Sequence, residues 1–307
     1  MTPEVFVNLL RIWLQRRKWH SFAVSMKEYQ SDSCTLLGAT DFYVSAFDLS
    51  ARSAIEKGTS GLRPLEVIMR NCTKSKQKPG GGDFTAIDLG ANVGRYSIFF
   101  TSLYSRVIAI EAHPLTFRLL SINTETFPSI RCLNIAVSDS SGGNAEIKEY
   151  SPLQSPRASI EPRDGNGFPV RSFKVPRKTL DSLLQQDQAK IGLIKVDVEG
   201  HDLHALFGAK NTIKRFKPDI VFEYNTASPE LLQALSNFGY NKFFAPNTEI
   251  LAQFKGRIAM LKWCLSRSHP VQDFKKLYSK DEFFEFIASE LPLSELVLAL
   301  PSTNAEN

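Results

Sequence analysis

One ten-residue run constrains the fold of this chain more than any other. Residues 87–96 read IDLGANVGRY, in which an apolar strand enters a turn with two glycines and a helix follows. Gly90 and Gly94 lack a Cβ, which lets the backbone approach a ligand closely, and Asn92 tolerates a positive φ. The start of the helix offers unpaired N–H groups to a polar or anionic ligand group. The run therefore predicts a nucleotide-type cofactor site.

The spacing of the glycines narrows the kind of cofactor. The turn reads G-x-N-x-G at residues 90–94, whereas dinucleotide-binding turns read G-x-G-x-x-G and place a pyrophosphate at the helix start. Arg95 and Tyr96 stand where a third glycine is needed. A nicotinamide-dependent oxidoreductase shares the logic of the fold and stays an alternative, but this pattern disfavours it.

A second apolar run ends in a carboxylate. Residues 106–110 are rich in β-branched side chains, and Glu111 follows them about twenty residues after Gly90. At this offset a doubly wound fold places an acid on the ribose hydroxyls of its cofactor. Glu111 is therefore the candidate ribose ligand, and an acid at an ordinary strand end is the alternative.

Two further strands deliver acids to the same edge of the predicted sheet. Asp197 and Glu199 follow the apolar run 193–196, and Glu223 ends the run 220–223. In an open parallel sheet the ligand crevice lies at the carboxyl ends of the strands. These carboxylates are candidates to accept a proton from a hydroxyl group, with His201 as a further candidate.

The same acids allow two other interpretations. Asp197, Glu223 and Asn225 carry the oxygen ligands that magnesium prefers, so a divalent metal is one alternative. In the other, Glu199 and Asp202 cap the helix after Gly200, where acids favour the helix dipole, and Glu223 pairs with a lysine.

On these residues the chain resembles the class I S-adenosylmethionine-dependent methyltransferases, and more narrowly the FkbM-type family. The resemblance covers roughly residues 84–245, and Asp202 departs from it because the family usually carries Glu there. It implies that the cofactor is S-adenosylmethionine and that Asp197, Glu199 and Glu223 serve catalysis. The residues that it assigns to cofactor binding are Asp88, Gly90, Asn92, Gly94, Glu111, Asn134 and Ala136, the last two near the base. The motifs that carry it lie at 88–94, 107–114, 134–139, 178–184, 194–202 and 217–225.

The alternation of strand-like and helical runs predicts an α/β fold with a Rossmann-like, doubly wound and mostly parallel sheet. We expect a helical N-terminal extension over 1–72 and a linker over 73–83. The methyltransferase domain is expected over 84–260, and a C-terminal helical segment with a tail over 261–307. The irregular stretch 151–176 carries five prolines and is either a flap over the substrate or a loose insertion.

The resemblance and the carboxylates at the ends of the predicted strands favour O-methylation of a hydroxyl group on a small molecule, sugar or glycolipid. A methyltransferase that acts on nucleic acid is an alternative suggested by the net charge of +5. It is disfavoured because the chain has no Asn-Pro-Pro-Tyr-like or Pro-Cys motif and few aromatics among its basic clusters, so no nucleic-acid partner is expected. A non-catalytic cofactor-binding protein remains a further alternative.

The terminal regions and the cysteines bear on location. The four cysteines are scattered without metal-binding spacing, which favours free thiols in a reducing, cytoplasmic compartment. Residues 5–18 predict a basic amphipathic helix that either docks on the catalytic domain or lies on an anionic membrane surface. A cleaved secretory signal is not expected, and no run is long enough for a transmembrane helix. The oligomeric state is left open.

Overall fold

The computed structural model describes residues 83–149, 171–187, 189–224, 229–246, 275–279 and 295–301. The predicted N-terminal extension and nearly all of the linker lie outside these ranges, as does the greater part of the stretch 151–176. Its strands are β1 (Phe84–Leu89), β2 (Arg106–Ile110), β3 (Ile130–Leu133), β4 (Ala136–Val137), β5 (Asn144–Glu149), β6 (Arg171–Lys178), β7 (Lys190–Val196), β8 (Asp219–Tyr224), β9 (Tyr240–Pro246), β10 (Lys275–Ser279) and β11 (Glu295–Pro301). Its helices are α1 (Arg95–Phe100), α2 (Pro114–Asn123), α3 (Leu180–Leu183), α4 (Asp202–Phe207), α5 (Lys210–Phe216) and α6 (Pro229–Asn237).

Eight strands form one sheet in the order β10-β9-β11-β8-β7-β1-β2-β3. The five strands from β8 to β3 run parallel, whereas β11 pairs antiparallel with β8 and β9, and β10 pairs antiparallel with β9. The chain moves outward from β1 through β2 to β3 and then returns to place β7 on the other side of β1. The predicted doubly wound, mostly parallel sheet is confirmed, and its switch point lies between β1 and β7.

Both faces of the sheet are covered, which explains the continuous apolar runs in its strands. On one face, Phe99 and Phe100 of α1 pack against Leu193 and Val221. On the other face, helices α4, α5 and α6 pack against a larger cluster that includes Ile87, Ile194 and Ile220. The central strands therefore have little freedom to shift, and they hold the residues at their carboxyl ends in fixed positions.

A smaller sheet in the order β4-β6-β5 borders the switch point. Ala136, Ile147 and Val175 from its three strands form an apolar cluster with Ala112, the second residue after β2. Residues 171–176, which the sequence analysis placed in an irregular stretch, belong to β6. The small sheet thus forms a side wall at the carboxyl end of β2.

The C-terminal part of the fold needs a correction. The sequence analysis predicted a helical segment over 261–307, but the described residues of that range form β10 and β11. The run ELVLALP at 295–301 is short, apolar and rich in strand-forming residues, and it inserts between β8 and β9. The rest of 261–307 lies outside the described residues, and the predicted boundary at 260 falls between strands of one sheet.

Within the ranges given above, no helix is long and apolar enough to cross a membrane.

The start of α5 depends on one acid from α3. Asp181 accepts hydrogen bonds from the backbone N–H groups of Asn211 and Thr212, at 2.9 and 2.8 Å, and from the Thr212 hydroxyl at 2.8 Å. We expect Asp181→Ala to lower the free energy of unfolding by roughly 2 kcal/mol, because it removes a helix cap with several bonds. Urea unfolding measures this. As a control, Asp139→Ala removes an exposed acid paired with exposed His204 and should cost less than about 1 kcal/mol; equal losses would contradict the capping role.

Candidate functional site

A cavity opens at the switch point, at the carboxyl ends of β1 and β7. Six of the predicted site residues line it: Gly90, Asn92, Glu111, Ala136, Asp197 and Glu199. The other four, Asp88, Gly94, Asn134 and Glu223, do not belong to its lining. The structure therefore brings together residues from four separate parts of the sequence, and it gives the remaining four different positions.

Gly90 is needed because of the neighbouring strand. Its φ is +72°, and a Cβ built on it would lie 1.8 Å from the backbone oxygen of Asp197. Its N–H and that of Ala91 both donate to the Ile110 carbonyl, at 2.9 and 3.0 Å. The sequence analysis assigned this glycine to close approach by a ligand. The structure shows that close packing of β1 against the segment after β7 already requires it.

Gly94 also has a packing role. It precedes α1 with a φ of +94°, and an added Cβ would lie 2.9 Å from Leu120 Cδ1 of helix α2. Asn92, between the two glycines, has a φ of +51°, so the predicted positive φ is confirmed. Its side-chain oxygen is buried and has no hydrogen-bond partner in the described part of the chain. This oxygen is an acceptor on a residue of the cavity lining.

Glu111 is held by two backbone donors. Its Oε2 accepts from the Asn92 N–H at 2.9 Å and its Oε1 from the His113 N–H at 2.8 Å. Each carboxylate oxygen has two lone pairs, so each keeps one position for a further donor. Burial raises the pKa of Glu111 from its ordinary 4.5 to about 7, although both backbone bonds oppose this shift.

Asn134 and Ala136 support the site in different ways. The Asn134 side-chain amide donates to the carbonyl oxygens of Glu111 and Ala112, at 2.8 and 3.0 Å. It therefore fixes the loop that carries Glu111 and does not itself line the cavity. Ala136 is buried and lines the cavity together with Val137 and Ile147, which gives the cavity an apolar wall.

A buried ion cluster lies beneath the turn. Lys195, whose side chain is 1% exposed, places its Nζ 3.2 Å from Asp88 Oδ1, 3.1 Å from Asp197 Oδ2 and 3.2 Å from the Gly90 carbonyl oxygen. Asp88 is fully buried and also accepts a hydrogen bond from the Ser97 hydroxyl at 2.6 Å. The resemblance assigned Asp88 to the cofactor, but in the structure it binds Lys195 and Ser97.

The sequence analysis did not single out Lys195. Burial alone would lower the pKa of Lys195, but Asp197 and Asp88 more than offset this and raise it above its ordinary value. One signal was present in the sequence: Lys195 and Asp197 are two residues apart at the end of an apolar strand, so they share a face. A lysine in such a run needs a buried partner.

The turn after β7 separates the roles of its acids. Asp202 Oδ1 accepts from the Val198 N–H at 3.0 Å and Oδ2 from the Gly200 N–H at 3.1 Å, so Asp202 closes the turn at the start of α4. Glu199 has a φ of +53° and lines the cavity. Asp197 also lines it and keeps 28% of its side chain exposed. The capping interpretation thus fits Asp202 better than Glu199.

Glu223 is the last but one residue of β8, which lies beside β7 in the sheet. Burial raises its pKa from the ordinary 4.5 to about 7, and the charges of Asp197, Glu199 and Asp202 add to the shift. Although Glu223 does not line the cavity, these charges act on it, so the predicted cluster of carboxylates on neighbouring strand ends is present. A carboxyl group with a pKa near neutrality is suited to accept and release a proton.

Two histidines flank the turn. His201 is buried, lines the cavity and shares a hydrogen bond of 3.0 Å with the Ser138 hydroxyl. Its ring stacks on that of His204, with centroids 4.6 Å apart. His204 lies at the surface and bonds Asp139 at 2.8 Å. The contact with Ser138 ties the start of α4 to the residue after β4.

The sequence also allowed a magnesium site at these acids. Among the residues that the structure describes, no group of three or more His, Cys, Asp or Glu side chains is arranged to hold a metal ion. Asn225, the third ligand considered from the sequence, lies outside those residues.

Comparisons with known proteins agree with this geometry. A profile of the Methyltransferase FkbM domain matches residues 88–242, about half of the chain, and confirms the resemblance found in the motifs. The chain is similar to the hexuronic acid methyltransferase AglP of Haloferax volcanii, with 30% identity over 129 residues. This match covers 41% of the chain and 50% of that protein, so the chain spans about half the length of this relative.

The chain also shows low similarity to solved structures. The methyltransferase FkbM from Methylobacillus flagellatus is 18% identical, with a TM-score of 0.32 over 48% of this chain and 35% of that one. The N-terminal domain of human METTL16 in complex with SAH is 12% identical, with a TM-score of 0.39 over 70% of this chain and 74% of that one.

The contact between Gly90 and Asp197 leads to a prediction. We expect Gly90→Ala to lower the free energy of unfolding by roughly 3 kcal/mol or more, because the new Cβ meets a backbone oxygen that cannot move aside. Gly200→Ala is the matched control: its φ is +92°, but nothing lies within 4 Å of the added atom, so only about 1 kcal/mol of backbone strain is expected. Chemical unfolding of both variants measures the two losses. Equal losses would mean that the positive φ, and not the contact, requires Gly90.

Proposed function

Because the chain belongs to the FkbM methyltransferase family, we propose that it transfers the methyl group of S-adenosylmethionine to a hydroxyl group of a small molecule, a sugar or a glycolipid. The observation that carries this proposal is the Glu111 carboxylate, which two backbone N–H groups hold at the switch point of the sheet. Its remaining lone pairs suit two neighbouring hydroxyl groups, as a ribose presents them.

The cavity residues fit the parts of this cofactor. Ala136, Val137 and Ile147 offer an apolar wall for the base. Glu111 would bind the ribose, and the buried oxygen of Asn92 is an acceptor without a partner in the described part of the chain. Asp197 and Glu199 lie on the side of the cavity formed after β7, where a negative charge suits the cationic end of the cofactor.

The cofactor would supply a methyl group on a positively charged sulfur. Transfer of that group to the acceptor oxygen would leave the sulfur as a neutral thioether and would release the hydroxyl proton. The protein must therefore hold donor and acceptor in line and take up the hydroxyl proton. We propose that the carboxylates at the ends of β7 and β8 perform these two tasks.

We propose that the Glu223 carboxylate accepts the proton of the acceptor hydroxyl. Its pKa of about 7 is matched to proton transfer near neutral pH. Asp197 is less suited, because one of its oxygens is already paired with Lys195 at 3.1 Å. We propose that Asp197 faces the cationic methyl donor and that Glu199 helps to orient the acceptor. The name of the relative AglP, a hexuronic acid methyltransferase, supports a sugar as the acceptor.

Binding of the product S-adenosylhomocysteine tests the role of Glu111. We expect Glu111→Ala to weaken it by roughly 2–3 kcal/mol, the range for a lost charge-assisted hydrogen bond. In the wild type the affinity should rise as the pH passes about 7, because the ionised carboxylate is the better acceptor. Glu111→Gln should remove this dependence. Calorimetry between pH 6 and 8 measures both, with Glu146→Gln, exposed on β5, as the control. Wild-type affinity in Glu111→Ala would refute the ribose assignment.

The proton acceptor can be identified once a methylated acceptor is known. With the cofactor at saturation, Glu223→Gln should lower turnover roughly a hundredfold and should abolish the rise of activity through pH 7 that an ionising base produces. Asp197→Asn should also lower turnover but keep that rise. If Asp197 and Glu223 instead hold magnesium, a chelator should silence the wild-type enzyme and added metal should restore it. Normal turnover in Glu223→Gln would move the proton to another group, such as His201.

A further inference from the structure

Three oxygens surround the charged end of Lys195. An ammonium group has three N–H bonds, and Nζ lies 3.1 to 3.2 Å from oxygens of Asp197, Asp88 and Gly90. Its side chain is 1% exposed, and the Tyr96 ring lies 5.3 Å from the charge. Lys195 does not belong to the lining of the cavity, so any effect on a ligand must pass through these three partners.

Two of the three partners line the cavity, and they come from opposite sides of the switch point. Gly90 follows β1, and Asp197 follows β7. Asp88 lies behind them with no exposed surface. The pair of Asp88 and Lys195 adds almost no net charge to the site, since the two charges cancel. What Lys195 adds is a fixed direction for the Asp197 carboxylate.

Asp197 needs such a restraint. Its side chain is 28% exposed, and the only hydrogen-bonding or charged partner of its carboxylate in the described part of the chain is Lys195, through Oδ2. Without this contact the carboxylate could rotate into solvent, as exposed acids commonly do. With it, Oδ2 is held inward, which leaves Oδ1 as the oxygen that can act on a bound molecule.

We propose that Lys195 is a positioning residue that holds the Asp197 carboxylate against the cationic sulfur of the methyl donor. This inference rests on the proposed function, and it assigns to Lys195 the preference for the charged donor over the neutral product. S-adenosylmethionine and S-adenosylhomocysteine share the base, the ribose and the amino-acid end. The ratio of their affinities therefore isolates the interaction with the sulfur cation, and any effect of Glu111 cancels in it.

The test measures both dissociation constants by calorimetry at pH 8 for four forms of the full chain. These are the wild type, Asp197→Asn, Asp88→Asn, and the double variant Lys195→Met with Asp88→Asn. The double variant removes one charge of each sign, so the net charge of the cluster stays the same and no buried acid is left alone. Asp88→Asn keeps the contact between Lys195 and Asp197 and measures the effect of losing the Asp88 charge alone.

The quantity compared is the affinity for the methyl donor divided by the affinity for the product. This ratio should be higher in the wild type than in Asp197→Asn, by roughly fivefold or more. The double variant should lose most of that preference, although both ligands still bind, and it should lose more of it than Asp88→Asn does. A general loss of stability would weaken both ligands equally and leave the ratio unchanged. If the double variant does not fold, Lys195→Gln with Asp88→Asn replaces it, because its amide retains polar contacts in the buried site.

Two results would overturn the inference. One is a wild-type ratio in the folded double variant, and the other is an unchanged ratio in Asp197→Asn. Both leave the proposed function standing, because both require that the two ligands bind. Failure of the wild type to bind either ligand would instead contradict the proposed function itself.

Discussion

The site depends first on the buried contact between Lys195 and Asp88, because it allows a lysine to stand inside the sheet. A lone ammonium in this position would be very costly to desolvate, and so would the fully buried Asp88 carboxylate. Paired, they bring a charged group to the point where β1 and β7 diverge. The same ammonium reaches the Gly90 carbonyl and Asp197, so the two sides of the cavity are connected through one atom.

The backbone of the site follows from close packing as much as from ligand binding. Gly90 contacts the Asp197 backbone, Gly94 packs on α2, and Asn134 fixes the loop that carries Glu111. The chain belongs to the FkbM methyltransferase family, and these contacts explain how its cavity is built. Few donors and acceptors remain for a ligand, and our functional assignments concern these groups.

Much of this arrangement could be predicted from the sequence. The parallel sheet, the positive φ of Asn92 and the gathering of Glu111, Asp197 and Glu199 at one edge follow from local patterns and from the topology of open sheets. The role of Lys195 could not be predicted, because a strand pattern shows which face a side chain shares but not which charge lies opposite. Strand β11 was missed for a similar reason: a short apolar run reads equally well as part of a helix until its neighbours in the sheet are known.

The central claim is that this cavity binds the methyl donor, and titration of the purified full chain tests it most directly. Thermal unfolding with S-adenosylhomocysteine and, separately, with a nicotinamide dinucleotide compares the two classes of ligand that such a switch point can take. The structure predicts that the first raises the unfolding temperature increasingly as its concentration rises and that the second does not. Stabilisation by the dinucleotide alone would contradict the account.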